Sequence, residues 1–253
     1  MKPSKIISLS AVTTALAVIF LAVGAYVDVM DLSCLFMSSL MIMLPLSKKS
    51  VKSALFSYGA TAILTDPNLP SGTDRIAAAL KVLDPDGSKY DIVVDFQGDN
   101  INVDPKVTIP LVEMIERTGC DIATCGMLIK SEEDKNNPNV VKIIMGLKEG
   151  EKEGRCLYFT RATAPYTRNP EKCPNQDLYY HIGIYVFKAS SLQKMVSLPT
   201  GVLEQREALE QLRALENGME VRAMLVDNIK LVDEAPADIN TEEDLANALP
   251  YIK

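Results

Sequence analysis

Two short clusters carry residue types that do chemistry. Gln97-Gly98-Asp99 follows the run Asp91 to Phe96 (DIVVDF), whose β-branched residues predict a buried strand. A carboxylate beside a glycine at a strand's carboxyl end is a common Mg2+ position, since that ion takes one or two carboxylates plus substrate phosphates. A Gly-Asp turn serves equally as a plain loop. Ser71-Gly72-Thr73-Asp74-Arg75 opens a helical stretch. Its hydroxyls, glycine and unpaired helix-start amides suit contacts to a phosphate or a base edge, or simply an N-cap. His181 is the one histidine, and no G-x-S-x-G accompanies it, which disfavours triad hydrolysis. The five cysteines (Cys34, Cys120, Cys125, Cys156, Cys173) are scattered without a CxxC pair. That argues against a zinc ribbon or a disulfide scaffold and for reduced thiols.

These clusters must be held by a folded body. The chain has 253 residues, 47% hydrophobic and 23% charged, a globular balance. Residues 1–50 carry four basic and two acidic groups, a charge of +2, which leaves −9 of the total −7 for residues 51–253. So acidic a body offers no general phosphate surface, and nucleic acid is excluded as a bulk partner. A single nucleotide held by a few placed groups is compatible with it.

Residues 6–27 form 22 consecutive uncharged positions, and a second uncharged run, Leu32 to Leu46, contains Pro45. Roughly 20 apolar residues cross a bilayer. With Lys2 and Lys5 before the first run and Lys48, Lys49 and Lys52 after the second, the pattern predicts a membrane hairpin with both ends cytoplasmic. A cleaved signal peptide is the rival reading, with an unusually long apolar region. The expected division is therefore a hydrophobic segment, 1–49, of which residues 6–46 associate with the membrane, and a soluble domain, 50–253. That domain would be cytoplasmic, tethered to the inner membrane.

Beyond Lys52 strands and helices alternate. Strands are predicted at 60–64, 91–96, 122–129, 140–146, 155–160, 181–187 and 221–226, and helices at 73–83, 105–118, 203–217 and 241–249. Ile109, Val112 and Ile115 are expected to share the buried face of the second helix, and TEED at 241–244 to open the last as a capping box. The alternation predicts an α/β domain with a mostly parallel sheet and helices on both faces.

Taken in order, LPSGTDRI (69–76), DFQGD (95–99), NPNVVKII (137–144), YFTRATAPYTR (158–168), HIGIYVFK (181–188) and LEQREALEQLRALENG (203–218) resemble the 3-deoxy-manno-octulosonate cytidylyltransferase family, also called CMP-Kdo synthetase. The resemblance runs from about residue 50 to about 250. It implies a nucleotide-diphospho-sugar-transferase-like fold and an enzyme that moves CMP from CTP to Kdo, releasing pyrophosphate, for lipopolysaccharide biosynthesis with Mg2+ as cofactor. It also implies a homodimer. Carried over by position, Asp99 becomes a catalytic metal ligand and Arg161 a second catalytic residue, and Ser71, Gly72, Thr73 and Arg75 lie along the nucleotide. Gln97, Arg161, His181, Tyr185, Glu207, Glu210 and Gln211 line the sugar pocket. Arg161 is suited to the sugar carboxylate because a guanidinium grips one bidentately. On a single 203–217 helix, Glu207 and Gln211 would stand one turn apart with Glu210 adjacent.

Three departures from the family pattern stand out. The opening strand and its P-A-R-x-x-S-x-R-L-P-G-K loop, which holds the triphosphate, are not found; the apolar residues 6–46 stand in their place. The second metal-binding aspartate falls on Asn240, with Asp238 two residues away as a substitute. QGDEP reads QGDNI, with Asn100 in place of the glutamate. Two other readings remain open at this level: a catalytically silent membrane-anchored binding or scaffold protein, and a cytidylyltransferase for another acidic sugar.

Overall fold

The computed structural model describes residues 63–96, 102–173, 175–230 and 246–251. The apolar runs of residues 6–46, and Gln97, Asp99, Asp238 and Asn240, lie outside the described residues, as do most of the strand expected at 60–64 and residues 241–245 of the last helix. Among the described residues no helix is long and apolar enough to cross a membrane. The chain divides into two compact units, residues 1–65 with 250–253, and Asp66–Leu249. The second unit carries the sheet.

Its first helix, α1 (Gly72–Leu83), is capped by Ser71, whose hydroxyl accepts from the Asp74 amide. Asp84 ends it, and the Asp84 carboxylate collects the amides of Ser88, Lys89 and Tyr90, shaping the turn into strand β1 (Ile92–Phe96). A short 3-10 turn, Pro105–Val107, leads into α2 (Thr108–Thr118), which stops at Gly119 in the left-handed conformation, φ 72°. The buried face of α2 is Leu111, Met114 and Ile115, while Ile109 is 56% exposed. Of the expected face, Ile115 is buried and Val112 packs against the core, and only Ile109 is misplaced. At about 100° per residue, Ile109 lies about 120° round the helix from Ile115, off the face that Leu111, Met114 and Ile115 present to the core.

Strands β2 (Ile122–Leu128), β3 (Lys142–Gly146), β4 (Glu153–Thr160), β5 (Tyr179–Lys188) and β6 (Val221–Leu225) complete the sheet. Helices α3 (Glu132–Asn136), α4 (Ala189–Ser197), α5 (Val202–Glu207) and α6 (Gln211–Glu216) connect them. The order is β1-β5-β2-β6-β4-β3, and β3 also pairs with β5. Of the described pairings only β2 with β6 is parallel; the others are antiparallel. The expectation of a mostly parallel sheet is thus corrected for these residues. Strands β1 and β2 do run the same way, as a helical crossover requires, but β5 inserts between them in the opposite sense. Side-chain patterns report burial, not neighbour direction, so this insertion was invisible in the sequence.

Strand β5 is buried on both faces. Tyr185 and Phe187 pack into one core with Phe159, Leu192, Leu209, Leu212 and Met219, beneath α1, α4 and the α5–α6 segment. Ile182, Ile184 and Val186 pack into a second core with Leu111, Met114 and Ile115 of α2. Helices do cover both faces, as the alternation implied.

Candidate functional site

The site begins with an irregularity in β5. Thr124 is opposite Tyr185, but its neighbour Cys125 is opposite Ile182, so Gly183 and Ile184 are extra residues in β5. Because two residues are inserted, the face alternation survives, and His181 and Tyr185 stay on the same side of the sheet. The Thr124 hydroxyl donates to the Ile184 carbonyl at 2.7 Å and lies 3.0 Å from His181 Nε2. With its one proton engaged there, the hydroxyl accepts from Nε2–H, which fixes the imidazole tautomer. His181 is 6% exposed, edge-on to Phe159 and tilted against Tyr185. Burial pushes its pKa down to about 3, so the ring is a neutral hydrogen-bonding group.

Asp95, buried in β1, stands opposite Tyr185 in register. Burial, and then the charges of Glu210 and Asp95, hold the Tyr185 phenol far above its ordinary range, so it remains a donor. Glu210 Oε2 is buried with no hydrogen-bond partner among the described residues.

The helix expected over 203–217 is broken. Helix α5 ends at Glu207, Ala208 is left-handed at φ 52° and ψ 51°, and α6 starts at Gln211. Glu207 and Gln211 are therefore not one turn apart on a common helix. The reason lies in a buried ion pair, Glu204 with Arg213, in which Nε and Nη2 donate to the two carboxylate oxygens. Nine residues of unbroken helix would set those side chains about 13 Å apart along the axis, on opposite faces. Only a break brings them together. Glu216 then caps the start of α5 by accepting from the Leu203 and Glu204 amides. It lies so close to Gly201 that any Cβ there would collide with its carboxylate.

The break delivers Glu207 to the end of β4. Its carboxylate accepts from the Thr160 hydroxyl (2.7 Å), the Arg161 amide (3.0 Å) and the Tyr158 hydroxyl (3.4 Å). Burial raises its pKa, but these hydrogen bonds and the Arg161 charge outweigh that and hold it below the usual carboxylate range. The Arg161 guanidinium is held by backbone oxygens alone. Nε donates to Glu207 O (2.7 Å), Nη1 to Pro138 O (3.0 Å) and Nη2 to Ala208 O (3.4 Å). Arg161 makes no ion pair among the described residues. These bonds leave one hydrogen on each terminal nitrogen, beside a full positive charge, which is the equipment for gripping a carboxylate.

Of the nucleotide-facing residues, Ser71 caps α1 and donates to Asp74 Oδ2 at 2.7 Å. Thr73 is buried. Arg75 braces the preceding loop through the carbonyls of Asp66, Pro67 and Leu69. Asp74 acts electrostatically on Arg213, so the start of α1 lies near the α5–α6 break. Arg161 and Glu207 thus meet at the end of β4, His181 and Tyr185 lie side by side within β5, Glu210 acts electrostatically on Tyr185, and Gln211 is buried at the start of α6. Thr124, Tyr158, Thr160, Glu204 and Arg213 support them and were not singled out in the sequence. Asp95 could have been, as a carboxylate within a strand of apolar residues.

The architecture, a twisted mixed sheet between helices with polar groups gathered where strands end, is that of a nucleotidyltransferase-type α/β protein. The fold resembles a CMP:2-keto-3-deoxy-manno-octonic acid synthetase complexed with CTP, with TM-score 0.66 and 29% identity over 79% of this chain and 76% of that one. It also resembles apo UDP-glucose pyrophosphorylase, at TM-score 0.50 and 12% identity, a likeness of fold alone. The cytidylyltransferase family matches residues 39–221. Two relatives are 3-deoxy-manno-octulosonate cytidylyltransferases. That of Paramagnetospirillum magneticum is 44% identical over 80% of this chain and 79% of its own. That of Rhodospirillum rubrum is 43% identical over 82% and 77%. The chain belongs to the 3-deoxy-manno-octulosonate cytidylyltransferase family.

Proposed function

We propose that the chain transfers CMP from CTP to Kdo, giving CMP-Kdo and pyrophosphate. The observation that carries this reading is the Arg161 guanidinium, oriented by three backbone carbonyls and in no direct ion pair among the described residues, the neighbouring Glu207 carboxylate being taken up by Tyr158, Thr160 and the Arg161 amide. The carboxylate of an acidic sugar takes the two hydrogens left on the guanidinium. Glu210, with its unpartnered buried oxygen, accepts from a sugar hydroxyl, and Tyr185 and neutral His181 close the pocket against water. Exclusion of water strengthens the Arg161 contact and keeps CTP from hydrolysis. Ser71, Gly72, Thr73 and Arg75 lie along the cytidine nucleotide, with Gln97 at the junction with the sugar.

Asp99, with Asn240 or Asp238, would hold Mg2+, and these all-oxygen donors are the kind that ion takes. Among the described residues no group of three or more His, Cys, Asp or Glu is arranged for a metal. When bound, the ion neutralises phosphate charge during the transfer. The protein's own share is positioning, with the sugar oxygen held in line with the α-phosphorus by the groups around Arg161.

We read the second apolar run as part of the enzyme domain, a reading supported by a family match that starts at residue 39, inside that run. Residues 6–27 remain as the membrane tether, and fractionation of cells expressing residues 1–253 or 28–253 tests it. A homodimer is proposed by analogy with the family, to be checked by sedimentation.

The deciding experiment is pyrophosphate release by the full chain with CTP, Kdo and Mg2+. Turnover is expected, with loss in Asp99→Ala and a Kdo KM raised about tenfold or more in Arg161→Met, the size of one charge-assisted hydrogen-bond pair. Lys148→Ala, on a loop where that side chain is 86% exposed, should match wild type. A folded chain without turnover overturns the enzymatic reading in favour of a silent binding protein.

A further inference from the structure

Lys142 opens β3 and is 0% exposed, opposite Thr160 of β4 and Tyr180 of β5. Its ammonium makes no ion pair among the described residues. Instead Nζ donates to the Asn137 carbonyl at 2.7 Å. The next carbonyl along, that of Pro138, accepts Arg161 Nη1 at 3.0 Å. Burying an ammonium is costly, and a methionine or leucine would fill the same slot without that cost. Packing therefore does not account for a lysine here.

What the ammonium does is tie down one wall of the Arg161 cradle. The other wall, Glu207 O and Ala208 O, is already fixed by the Glu204–Arg213 pair across the helix break. The Asn137–Pro138 wall belongs to neither a helix nor a strand. The turn's own bonds are local, with the Asn137 amide on Asp134 O, the Asn139 amide on Asn137 Oδ1 and the Val140 amide on Asn137 O, and the distant Thr163 hydroxyl reaches Lys135 O and Asn136 Oδ1 but not the Asn137–Pro138 peptide. Proline has no amide hydrogen with which to anchor the segment.

We propose that Lys142 is a positioning residue for the sugar-carboxylate site, holding Arg161 in its gripping orientation through the Asn137–Pro138 peptide. The inference rests on the reading of Arg161 given above. The two walls grip one rigid guanidinium plane between them, a salt bridge securing one and a buried lysine the other, so loosening the Pro138 wall also frees the Nε–H bond to Glu207 O.

The test uses the full chain and two readouts. The first is solvent exchange of the Arg161 Nε–H, followed by NMR and assigned by its disappearance in Arg161→Lys. The second is Kdo affinity by calorimetry in EDTA, where no turnover contributes. Lys142→Met should raise Nε–H exchange about tenfold and weaken Kdo about tenfold, the effect of one hydrogen bond from a charged group. Lys142→Arg, which keeps a charged donor, should restore both. In Arg161→Met, adding Lys142→Met should weaken Kdo no further. Should Lys142→Met fail to fold, Lys142→Gln takes its place, since its shorter side chain leaves the donor short of Asn137 and exchange again rises. Unchanged Nε–H exchange, or losses that add in the double variant, overturns the proposal. If Arg161→Met binds Kdo as wild type does, the carboxylate reading fails by itself, and Nε–H exchange still decides the role of Lys142.

Discussion

At the scale of single residues, the site is a set of donors and acceptors matched before any ligand arrives. Glu207 illustrates this, since each of its three donors comes from the end of β4. Glu207→Gln replaces one acceptor oxygen with a donor and should cost about 1–2 kcal/mol at pH 7 in urea unfolding. The carboxylate's pKa is depressed in the fold. Its contribution is therefore present above its ordinary value near pH 4.5 and lost as pH falls through the lower folded value. The gap between wild type and Glu207→Gln should accordingly narrow below pH 4. A gap independent of pH would contradict the hydrogen-bonding account. Arg161, His181, Tyr185 and Glu207 were all named from the sequence, because their types and order match family motifs. Lys142 was passed over, because a lysine in a strand carries no mark of whether its ammonium reaches water or a buried carbonyl.

At the scale of elements, the break between α5 and α6 is the decisive feature. Residues 203–217 have helical propensity throughout, and nothing local marks Ala208 as the residue that turns left-handed. Tertiary terms override the propensity: the Glu204–Arg213 pair, and the burial of both Leu209 and Leu212. A β-branched side chain resists the left-handed region more strongly than alanine does. Ala208→Val should therefore destabilise by about 1–2 kcal/mol and raise the Kdo KM, because Glu207 O and Ala208 O orient Arg161. Glycine at 208 relieves the strain and should leave both near wild type. Arg213→Met strands the Glu204 carboxylate in a buried position and should cost about 3–5 kcal/mol by urea unfolding. A smaller loss for Arg213→Met than for Ala208→Val would mean that the pair does not hold the break.

At the largest scale, the two cores of the unit Asp66–Leu249 pack on opposite faces of the inserted β5, which carries the buried histidine. His181 is neutral in the fold, with its pKa pushed down to about 3 against about 6.5 unfolded. Its contribution to stability is thus fully present above about pH 6.5 and declines steadily as the pH drops below that. Thermal unfolding of the full chain should fall between pH 7 and pH 5, where ordinary carboxylates are still ionised. His181→Asn should flatten that slope while lowering stability at pH 7. An equal slope in both proteins would place the acid sensitivity elsewhere.

Helices covering both sheet faces, most element positions, the acidic body and the residues around Arg161 were legible in the sequence. Periodicity, turn residues and motif order are local properties that survive in one dimension. The antiparallel insertion of β5 between β1 and β2, the Ala208 break and the two walls that hold Arg161 were decided by tertiary structure. Each depends on contacts between residues far apart in the chain: Thr124 with Ile184, Glu204 with Arg213 across an apparent helix, and Arg161 with both Pro138 and Ala208. Their energies arise only once the chain has closed on itself, so no window of sequence contains them.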